Sequence, residues 1–469
     1  MKLVRLIGET LRDRVLPTLI ALSGLAALLL ASGTAQAVPS FSRQTSMPCA
    51  SCHTVFPELT PFGRMFKLNG YQVDALPQIK GSTPGNEEAL LLNQLPPFSF
   101  MFQASMTKTS KALPDSVVAG ANAQNGQLLI PQQASIFYAG RLAPNLGSFV
   151  QITYDPEASA FHMDNTDIRY ANQAALAGSS FTYGVSLNNN PTVQDPWNST
   201  PAWQTPFDQK TSVGPSPVAS TMLDGTAAGV GVGGLTAYAW VNNSIYGEVG
   251  LYRSAPQGFG GPLDSTVPSG VVDGNAPYWR VAYENQWDNN SLSVGAYGLN
   301  LKLHPALAPM NSELDKYKDV ALDAQYQYIT EDNIVSVMTT YIKEDQTLNY
   351  SSVASGTNLN NSLKTFRLAG SYYYHRRYGG SLGYFSTTGS QDSALYPVGA
   401  PMTINGSANG SPNSNGYIGE LDYVPWLNVK FLLQYVAYNK FNGGSTNYDG
   451  NGRNARDNNT TYLLAWFAF

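Results

Sequence analysis

Cysteine, charge and long hydrophobic runs are scarce in this chain, and each scarcity narrows the class of protein. Two of the 469 residues are cysteines, so the chain can form a single thiol pair. Charged residues make up 13% of the chain, against about 25% in ordinary globular proteins. The formal net charge of −5 argues against nucleic acid as a partner. Beyond residue 37, no apolar run approaches the roughly 18 residues that a membrane helix needs.

Aromatic residues and alternating segments are abundant instead. Aromatics reach 12% of the chain, with 28 tyrosines, and segments rich in glycine and asparagine separate short runs. Polar and apolar residues alternate with a period of two in residues 245–252, 320–328 and 428–438. In the first of these runs, Ile245 and Tyr246 fall on opposite faces. This pattern is typical of strands that have one polar and one apolar face.

The lengths of the connections between these runs alternate, which predicts a barrel. Outer-membrane barrels have an even number of antiparallel strands, short turns at one end and long loops at the other. Eight long loops and seven short turns predict sixteen strands in residues 96–469, with fourteen or eighteen as alternatives. A secreted soluble β-sandwich or solenoid is the competing fold, although no fixed-period repeat is visible. The expected loops are 111–131, 155–166, 188–225, 253–274, 303–317, 345–363, 389–415 and 440–459, and the expected turns lie near 143–147, 175–179, 242–244, 287–291, 330–333, 375–380 and 425–428.

Both ends of the chain carry signals of export and assembly. Several basic residues precede an apolar stretch at Val15–Leu30, and Ala35-Gln36-Ala37 offers small residues for cleavage. We therefore expect residues 1–37 to be a signal peptide, and a membrane anchor is the weaker interpretation. At the other end, residues 461–469 alternate with a period of two and finish on the aromatic Phe469. This ending is typical of a terminal barrel strand that the assembly machinery recognises.

The most informative motif is Cys49-Ala50-Ser51-Cys52-His53, which contains both cysteines. Two thiols at this spacing can add to the two vinyl groups of one haem, and the histidine that follows can ligate the iron. We therefore expect one covalent haem c, with His53 as the proximal ligand. A periplasmic disulfide and a redox dithiol are the alternatives. Zinc is disfavoured because the four histidines are scattered.

Residues 38–95 differ from the rest of the chain, and we expect them to form a small helical domain around that haem. Apolar residues recur at roughly helical spacing after the motif, and Thr60-Pro61 predicts the start of a helix. A segment of this size buries little apolar surface alone. A covalent haem would supply an apolar centre, and docking inside or against the barrel would bury the remainder.

Three stretches of this amino-terminal region resemble a known family. Residues 38–45, the C-A-S-C-H motif and residues 57–71 are similar to the fused cytochrome–porins of the outer membrane, and residues 195–203 are similar to a recurrent segment in them. The family includes the ferrous-iron oxidases of iron-oxidising bacteria. The resemblance implies a monohaem cytochrome followed by a porin-like barrel of about sixteen strands, and it covers the mature chain.

The distal ligand of the iron is open from the sequence. Met101 lies in the first expected barrel strand and is placed ahead of Met65 and Met106, with simple packing as the alternative for all three. A His/Met pair raises the potential relative to two histidines, which suits a weak reductant.

Basic side chains near the motif are candidates for binding the haem propionates. Arg43 and Arg64, with Lys67, are the residues in question, because guanidinium groups form paired hydrogen bonds with carboxylates. The alternative is an ordinary basic rim on the periplasmic side.

These features together predict an outer-membrane electron-transfer protein. The expected partners are membrane lipid, an extracellular electron donor, and a periplasmic c-type cytochrome or other soluble carrier, with no nucleic acid. The resemblance implies Fe(II) as the donor and, if the chain is an enzyme, an oxidoreductase of the iron(II):cytochrome c type. Two rivals stay open: a passive solute porin with a structural or sensory haem segment, and electron flow outward to an extracellular acceptor.

Overall fold

The structure is a computed structural model, and residues Gln36–Phe469 form one compact unit in it. The expected signal peptide, residues 1–37, and residues 198–203 of the family-like stretch lie outside the described residues. The expected division between residues 95 and 96 stays a prediction. The structure describes residues 39–54, 56–73, 78–114, 124–156, 160–191, 195–197, 213–226, 231–255, 270–306, 308–309, 311–397 and 404–469.

Sixteen antiparallel strands close into a barrel, as the alternating connections predicted. The last strand, Thr460–Ala468, pairs with the first barrel strand, Phe98–Thr109, in a register that sets Leu464 opposite Ser105, and this pairing closes the barrel. The short strand β10, Gly270–Val272, pairs with the strand Asn290–Pro305 and is not one of the sixteen. The barrel strands are β3 Phe98–Thr109, β4 Gln127–Ala143, β5 Leu146–Asp155, β6 Ala160–Leu176, β7 Ser179–Asn188, β8 Val232–Val241, β9 Ile245–Ser254, β11 Ala276–Trp287, β12 Asn290–Pro305, β13 Asp315–Ile329, β14 Asn333–Leu348, β15 Asn360–Tyr374, β16 Tyr378–Gly389, β17 Ser414–Trp426, β18 Val429–Lys440 and β19 Thr460–Ala468.

Shorter elements precede the barrel or lie in its loops. Among the described residues, no helix is long and apolar enough to cross a membrane. The elements are α1 Pro39–Thr45, α2 Cys49–Cys52, α3 Pro61–Leu68, the hairpin strands β1 Gln78–Thr83 and β2 Asn86–Asn93, a π-helical turn Met222–Thr226, α4 Asn349–Ser355 and a 3₁₀ turn Ala455–Asn458.

Turns of two or three residues lie at one end of the barrel, which we call the turn end, at all seven predicted places. The opposite end, the loop end, carries the remaining connections. The prediction of a loop at residues 155–166 was wrong. The connection ends before Ala160, because the residues from Ala160 onward pair with β5. In that ladder Met163 lies opposite Ile152 and His162 opposite Thr153. His162 is therefore a strand residue.

The strands present polar residues to the lumen and apolar residues to the outside, as their period of two predicted. In β9, Tyr246 and Glu248 are buried, whereas Val249 is 64% exposed and Leu251 is 50% exposed. Exposed leucine, valine, isoleucine and aromatic side chains recur on the other strands. An apolar exterior around a polar interior is the architecture of outer-membrane barrels.

The terminal strand closes this wall. Phe469 continues the pairing beyond β19, because its backbone N–H and carbonyl exchange hydrogen bonds of 2.9 Å and 2.7 Å with Phe100. The Phe469 ring also stacks on Phe100, with the ring centroids 5.9 Å apart. The carboxyl-terminal aromatic is therefore part of the barrel seam at the turn end.

The amino-terminal helices lie inside the barrel at the turn end. Helix α1 docks on β4, where Ser40 Oγ and Gln44 Nε2 each donate to the Ala139 carbonyl at 2.9 Å. Helix α3 begins as predicted, with the Thr60 hydroxyl accepting from the Gly63 N–H at 3.0 Å. The segment therefore fills part of the lumen, one of the two arrangements that its small size predicted.

The described residues of the connection between β7 and β8 also lie in the lumen. Trp197 is fully buried and donates from Nε1 to Glu284 of β11 at 2.9 Å. Farther along, the backbone N–H groups of Met222 and Leu223 donate to Glu344 and Asp319 at 2.7 Å and 2.8 Å. This connection therefore contacts widely separated parts of the inner wall.

Candidate functional site

The cysteine motif forms a single helical turn that holds the two thiols on neighbouring positions of one helical face. Residues at spacing three lie close together on a helix, which matches α2, Cys49–Cys52. The His53 N–H donates to the Cys49 carbonyl at 2.9 Å, and the Thr60 N–H donates to the Cys52 carbonyl at 2.9 Å. Helix α3 approaches so closely that a Cβ on Gly63 would lie 2.1 Å from the Cys52 oxygen. Only glycine therefore fits there.

His53 is held in an orientation suited to a metal ligand. Its Nδ1 lies 3.3 Å from the Pro57 carbonyl and 3.2 Å from the Glu58 carbonyl, so Nδ1–H donates to backbone. This arrangement leaves Nε2 with its lone pair, as metal-binding histidines require. Burial lowers the pKa of His53 to about 4. The imidazole is therefore neutral at physiological pH.

A cavity opens beside His53 and the motif at the turn end. Its empty volume is about 780 Å³, a figure that includes the open space at its mouth. Most of its walls are apolar. The lining residues are Pro39, Cys49, Ala50, His53, Thr54, Phe56, Ser99, Phe100, Met101, Phe137, Arg376, Val424, Leu427, Asn428, Val429, Lys430, Trp466 and Ala468.

Of the three candidate methionines, Met101 is the one that lines this cavity. It is 3% exposed, on the inward face of β3, and its sulfur accepts a weak hydrogen bond from Gln103 Nε2 at 3.9 Å. Met106 falls on the outward face of the same strand. Met65 packs against the cluster that contains Leu68 and Trp197. The placement favours Met101, and its role as distal ligand stays a prediction.

The two cysteines are free thiols in environments that suppress the thiolate. Burial raises the pKa of Cys49 to about 12 and that of Cys52 to about 11. Redox-active dithiols work through a thiolate whose pKa is lowered by nearby positive charge or a helix terminus. The described surroundings of the motif therefore disfavour the redox dithiol.

The basic residues predicted to bind propionates lie in different places. Arg43 is partly exposed and donates to the Phe98 carbonyl, near the first barrel strand. Arg64 is 1% exposed and is ion-paired with Glu284 at 2.9 Å, away from the cavity lining given above. Lys67 faces Asp167 and Arg169, and burial lowers its pKa to about 8. This geometry does not favour Arg64 or Lys67 as propionate partners.

Sequence reasoning missed Arg376, which does line the cavity. Arg376 lies in the turn between β15 and β16, and its Nη1 donates to the carbonyls of His53 at 3.3 Å and Thr54 at 3.5 Å. The turn itself was predicted. The contact was not, because 323 positions separate Arg376 from His53 and only barrel closure brings them together.

The comparisons show distant similarity to solved outer-membrane β-barrels. No protein-family model matches the chain, and no curated protein matches it. Salmonella typhi OmpF, solved with daunomycin, has 14% identity and a TM-score of 0.47 over 79% of this chain and 97% of that chain. The Acinetobacter baumannii channel DcaP has 10% identity and a TM-score of 0.43 over 79% and 96%. An anion-selective porin from Comamonas acidovorans has 12% identity and a TM-score of 0.42 over 79% and 98%. These likenesses carry no argument about function, and the fold assignment rests on the strand pairing.

Proposed function

We propose that this chain is an outer-membrane electron-transfer protein with one haem c bound in the turn-end cavity. Cys49 and Cys52 would form the covalent attachment, and His53 and Met101 would ligate the iron. The observation that carries the proposal is that one cavity is lined by Cys49, His53 and Met101, although Met101 comes from a different element. The donor set is that of a His/Met cytochrome c.

The residues around the cavity are suited to that cofactor. When bound, the haem supplies a one-electron change between iron(III) and iron(II). Phe56 and Trp466 pack edge to face at 4.9 Å in the apolar wall, which excludes water from the ligands. The carbonyls of Pro57 and Glu58 fix the His53 ring and leave Nε2 to bind iron. Arg376 adds a positive charge where propionates could be bound.

The barrel gives this haem a physical role. Electrons do not cross about 30 Å of hydrocarbon without a carrier, and a haem held by a barrel wall supplies one. We infer that an extracellular donor such as Fe(II) reduces the haem and that a periplasmic cytochrome reoxidises it. Turns of outer-membrane barrels face the periplasm, so the turn-end cavity would meet the soluble carrier. The reaction would be of the iron(II):cytochrome c oxidoreductase type, and outward electron flow would use the same site.

The rival, a passive solute porin, needs an open lumen. Arg64 of the amino-terminal segment and Trp197 of the inward connection both bond to Glu284 of the wall. Two separate parts of the chain therefore meet inside the barrel and reduce the space for a solute path. The charge-assisted hydrogen bonds from Arg64 to this buried carboxylate also hold the amino-terminal segment firmly.

A visible spectrum of the purified protein, before and after addition of Fe(II), tests the proposal. We expect the absorption of a low-spin cytochrome c, with reduction on mixing with Fe(II) and reoxidation by a soluble cytochrome c. A colourless protein would overturn the haem assignment. If dithionite reduces the haem but Fe(II) does not, the assignment of Fe(II) as the donor is overturned and the haem assignment stands. A large steady conductance in planar bilayers would favour the passive solute porin.

A further inference from the structure

A buried cluster of three charged side chains lies directly behind the cavity. Lys430 of β18 lines the cavity, and its Nζ lies 3.3 Å from Glu420 Oε1 and 3.2 Å from Asp422 Oδ1 of β17. Both carboxylate side chains have no exposed surface, and that of Lys430 is 8% exposed. The two carboxylates are therefore shielded from bulk water, and Lys430 is the member of the cluster that borders the proposed haem site.

The charges of this cluster do not balance. Within the part of the chain that the structure describes, Lys430 is the one cation that pairs with either carboxylate. Two ionised acids beside one ammonium leave a net charge of −1. Uncompensated buried charge is costly unless a counter-charge or a proton neutralises it.

Neighbouring groups stabilise the carboxylates without adding positive charge. Gln434 Nε2 donates to Glu420 Oε2 at 2.9 Å, and the Tyr373 hydroxyl donates to Asp422. Tyr462 of β19 also faces Glu420. The Gln434 amide and the Tyr373 hydroxyl orient the acids, whereas the Tyr462 hydroxyl donates to Gln132. None of these groups adds positive charge, so the charge imbalance stays in place.

Charges on the amino-terminal side complete the surroundings. Glu58 faces Lys430 and accepts from the Thr54 hydroxyl at 3.0 Å, so it adds a further acid. Arg64 faces Glu58 but is itself paired with Glu284. Because Glu58 borders the His53 loop, it is not part of the proposed proton-binding site, which consists of the β17 acids and Lys430.

A haem in the cavity would supply the missing counter-charge in one oxidation state. The iron(III)–porphyrin core carries one positive charge and the iron(II) core carries none, so reduction removes the charge that offsets the cluster. Screening is weak between buried groups. The proton affinity of the carboxylates must then rise when the iron is reduced.

We propose that the Glu420–Asp422–Lys430 cluster is a proton-binding site coupled to reduction of the iron. This inference rests on the proposed function. For each electron that an external one-electron donor delivers, iron(III) becomes iron(II), and one proton from water binds a carboxylate oxygen of Glu420 or Asp422. Reoxidation by the soluble carrier releases that proton to water.

The test is a spectroelectrochemical titration of the haem midpoint potential over a pH series in the purified protein. We expect an interval in which the potential falls by about 59 mV for each pH unit, the value for one proton per electron. Glu420→Gln and Asp422→Asn should flatten or displace this interval. Lys430→Met should move it to higher pH, because the loss of the ammonium raises the proton affinity of both acids.

Glu248→Gln is the matched control. Glu248 is also a buried lumen carboxylate, on β9, and is not among the residues that line the cavity, so its variant should keep the wild-type slope. A pH-independent potential in wild-type protein overturns this inference and leaves the haem assignment standing. An interval with unchanged slope and unchanged position on the pH axis in both Glu420→Gln and Asp422→Asn also overturns it. A protein without a haem spectrum overturns the proposed function instead.

Discussion

The amino-terminal segment meets the barrel through two kinds of surface. On the side of β3, β4 and β17–β19, it borders an apolar cavity lined by its own cysteine and histidine and by Met101. Toward β11–β13, Arg64 forms a buried network with Glu284, Gln325, Gln327 and Ser291. The polar side has its hydrogen-bond partners already, whereas the cavity side has space and ligating atoms. The difference is consistent with anchoring on the Glu284 side and with the proposed cofactor binding on the cavity side.

The largest expected effect is on the cavity side. Cys49→Ala combined with Cys52→Ala removes both thioether-forming atoms, so covalent haem should be lost completely. In-gel haem staining of the denatured protein should be positive for the wild type and absent for the double variant. Met65→Ala, which changes a residue outside the cavity lining, should stain normally. A normal stain in the double cysteine variant would contradict the assignment.

The next effect is on the anchoring side. Glu284→Gln leaves the Arg64 guanidinium buried without its carboxylate, and breaking a buried pair costs about 3–5 kcal/mol. Urea unfolding in detergent and limited proteolysis of the amino-terminal segment should both report this loss. Haem staining should persist, because the cysteines are untouched.

An exposed ion pair supplies the control for that experiment. Lys343 and Asp345 lie 2.9 Å apart with about half of each side chain exposed, and such pairs contribute about 0–1 kcal/mol. Lys343→Gln should therefore leave both the unfolding free energy and the proteolysis pattern near wild type. If Glu284→Gln and Lys343→Gln lowered stability equally, the Arg64–Glu284 pair would not anchor the segment more strongly than an exposed ion pair does.

Deletion of Phe469 should have an intermediate effect on assembly. The residue continues the hydrogen bonding of β19 with β3 and stacks on Phe100, so its loss weakens the barrel seam. The heat-modifiable, folded fraction in outer membranes should fall on gel electrophoresis of unheated samples. Unchanged levels of folded protein would argue against a role of the terminal aromatic in assembly.

The smallest expected effect is at Arg376. Arg376→Gln removes donors to the carbonyls of His53 and Thr54 and one positive charge beside the cavity. The unfolding free energy should fall by about 1 kcal/mol, and the haem midpoint potential should fall because a nearby cation favours reduced iron. Arg377→Gln is the control, since Arg377 stacks on Tyr378 and Tyr423 outside the cavity lining. A larger shift in the control would exclude Arg376 as the cavity's cation.

The sequence was sufficient for features that depend on local patterns. Alternation separated the two faces of β9, and the seven turns followed from polar breaks between alternating runs. Thr60-Pro61 marked the start of α3 because capping and proline preferences act within one turn. The prediction of a loop at residues 155–166 was wrong because polar residues of this stretch face the lumen. Lumen-facing strand residues are as polar as loop residues, so polarity alone does not distinguish the two.

Contacts across the lumen could not be read from the sequence. Arg64 was expected at a propionate, but it pairs with Glu284, 220 positions away. Arg376 was unremarked because its proximity to His53 depends on barrel closure. Met101 was a candidate because it lies in the first expected barrel strand, at a distance from His53 that suits a return of the chain to the haem. Its place in the cavity lining agrees with that candidate.

Near-infrared spectroscopy of the oxidised protein tests the central claim most directly, namely that His53 of the motif and Met101 of the barrel wall bind the same iron. The wild type should show the weak methionine–iron(III) band, and Met101→Ala should abolish it and lower the midpoint potential, because thioether ligation favours reduced iron. Met65→Ala should change neither. Loss of the band in Met65→Ala with retention in Met101→Ala would contradict the cavity assignment and place the ligand on α3.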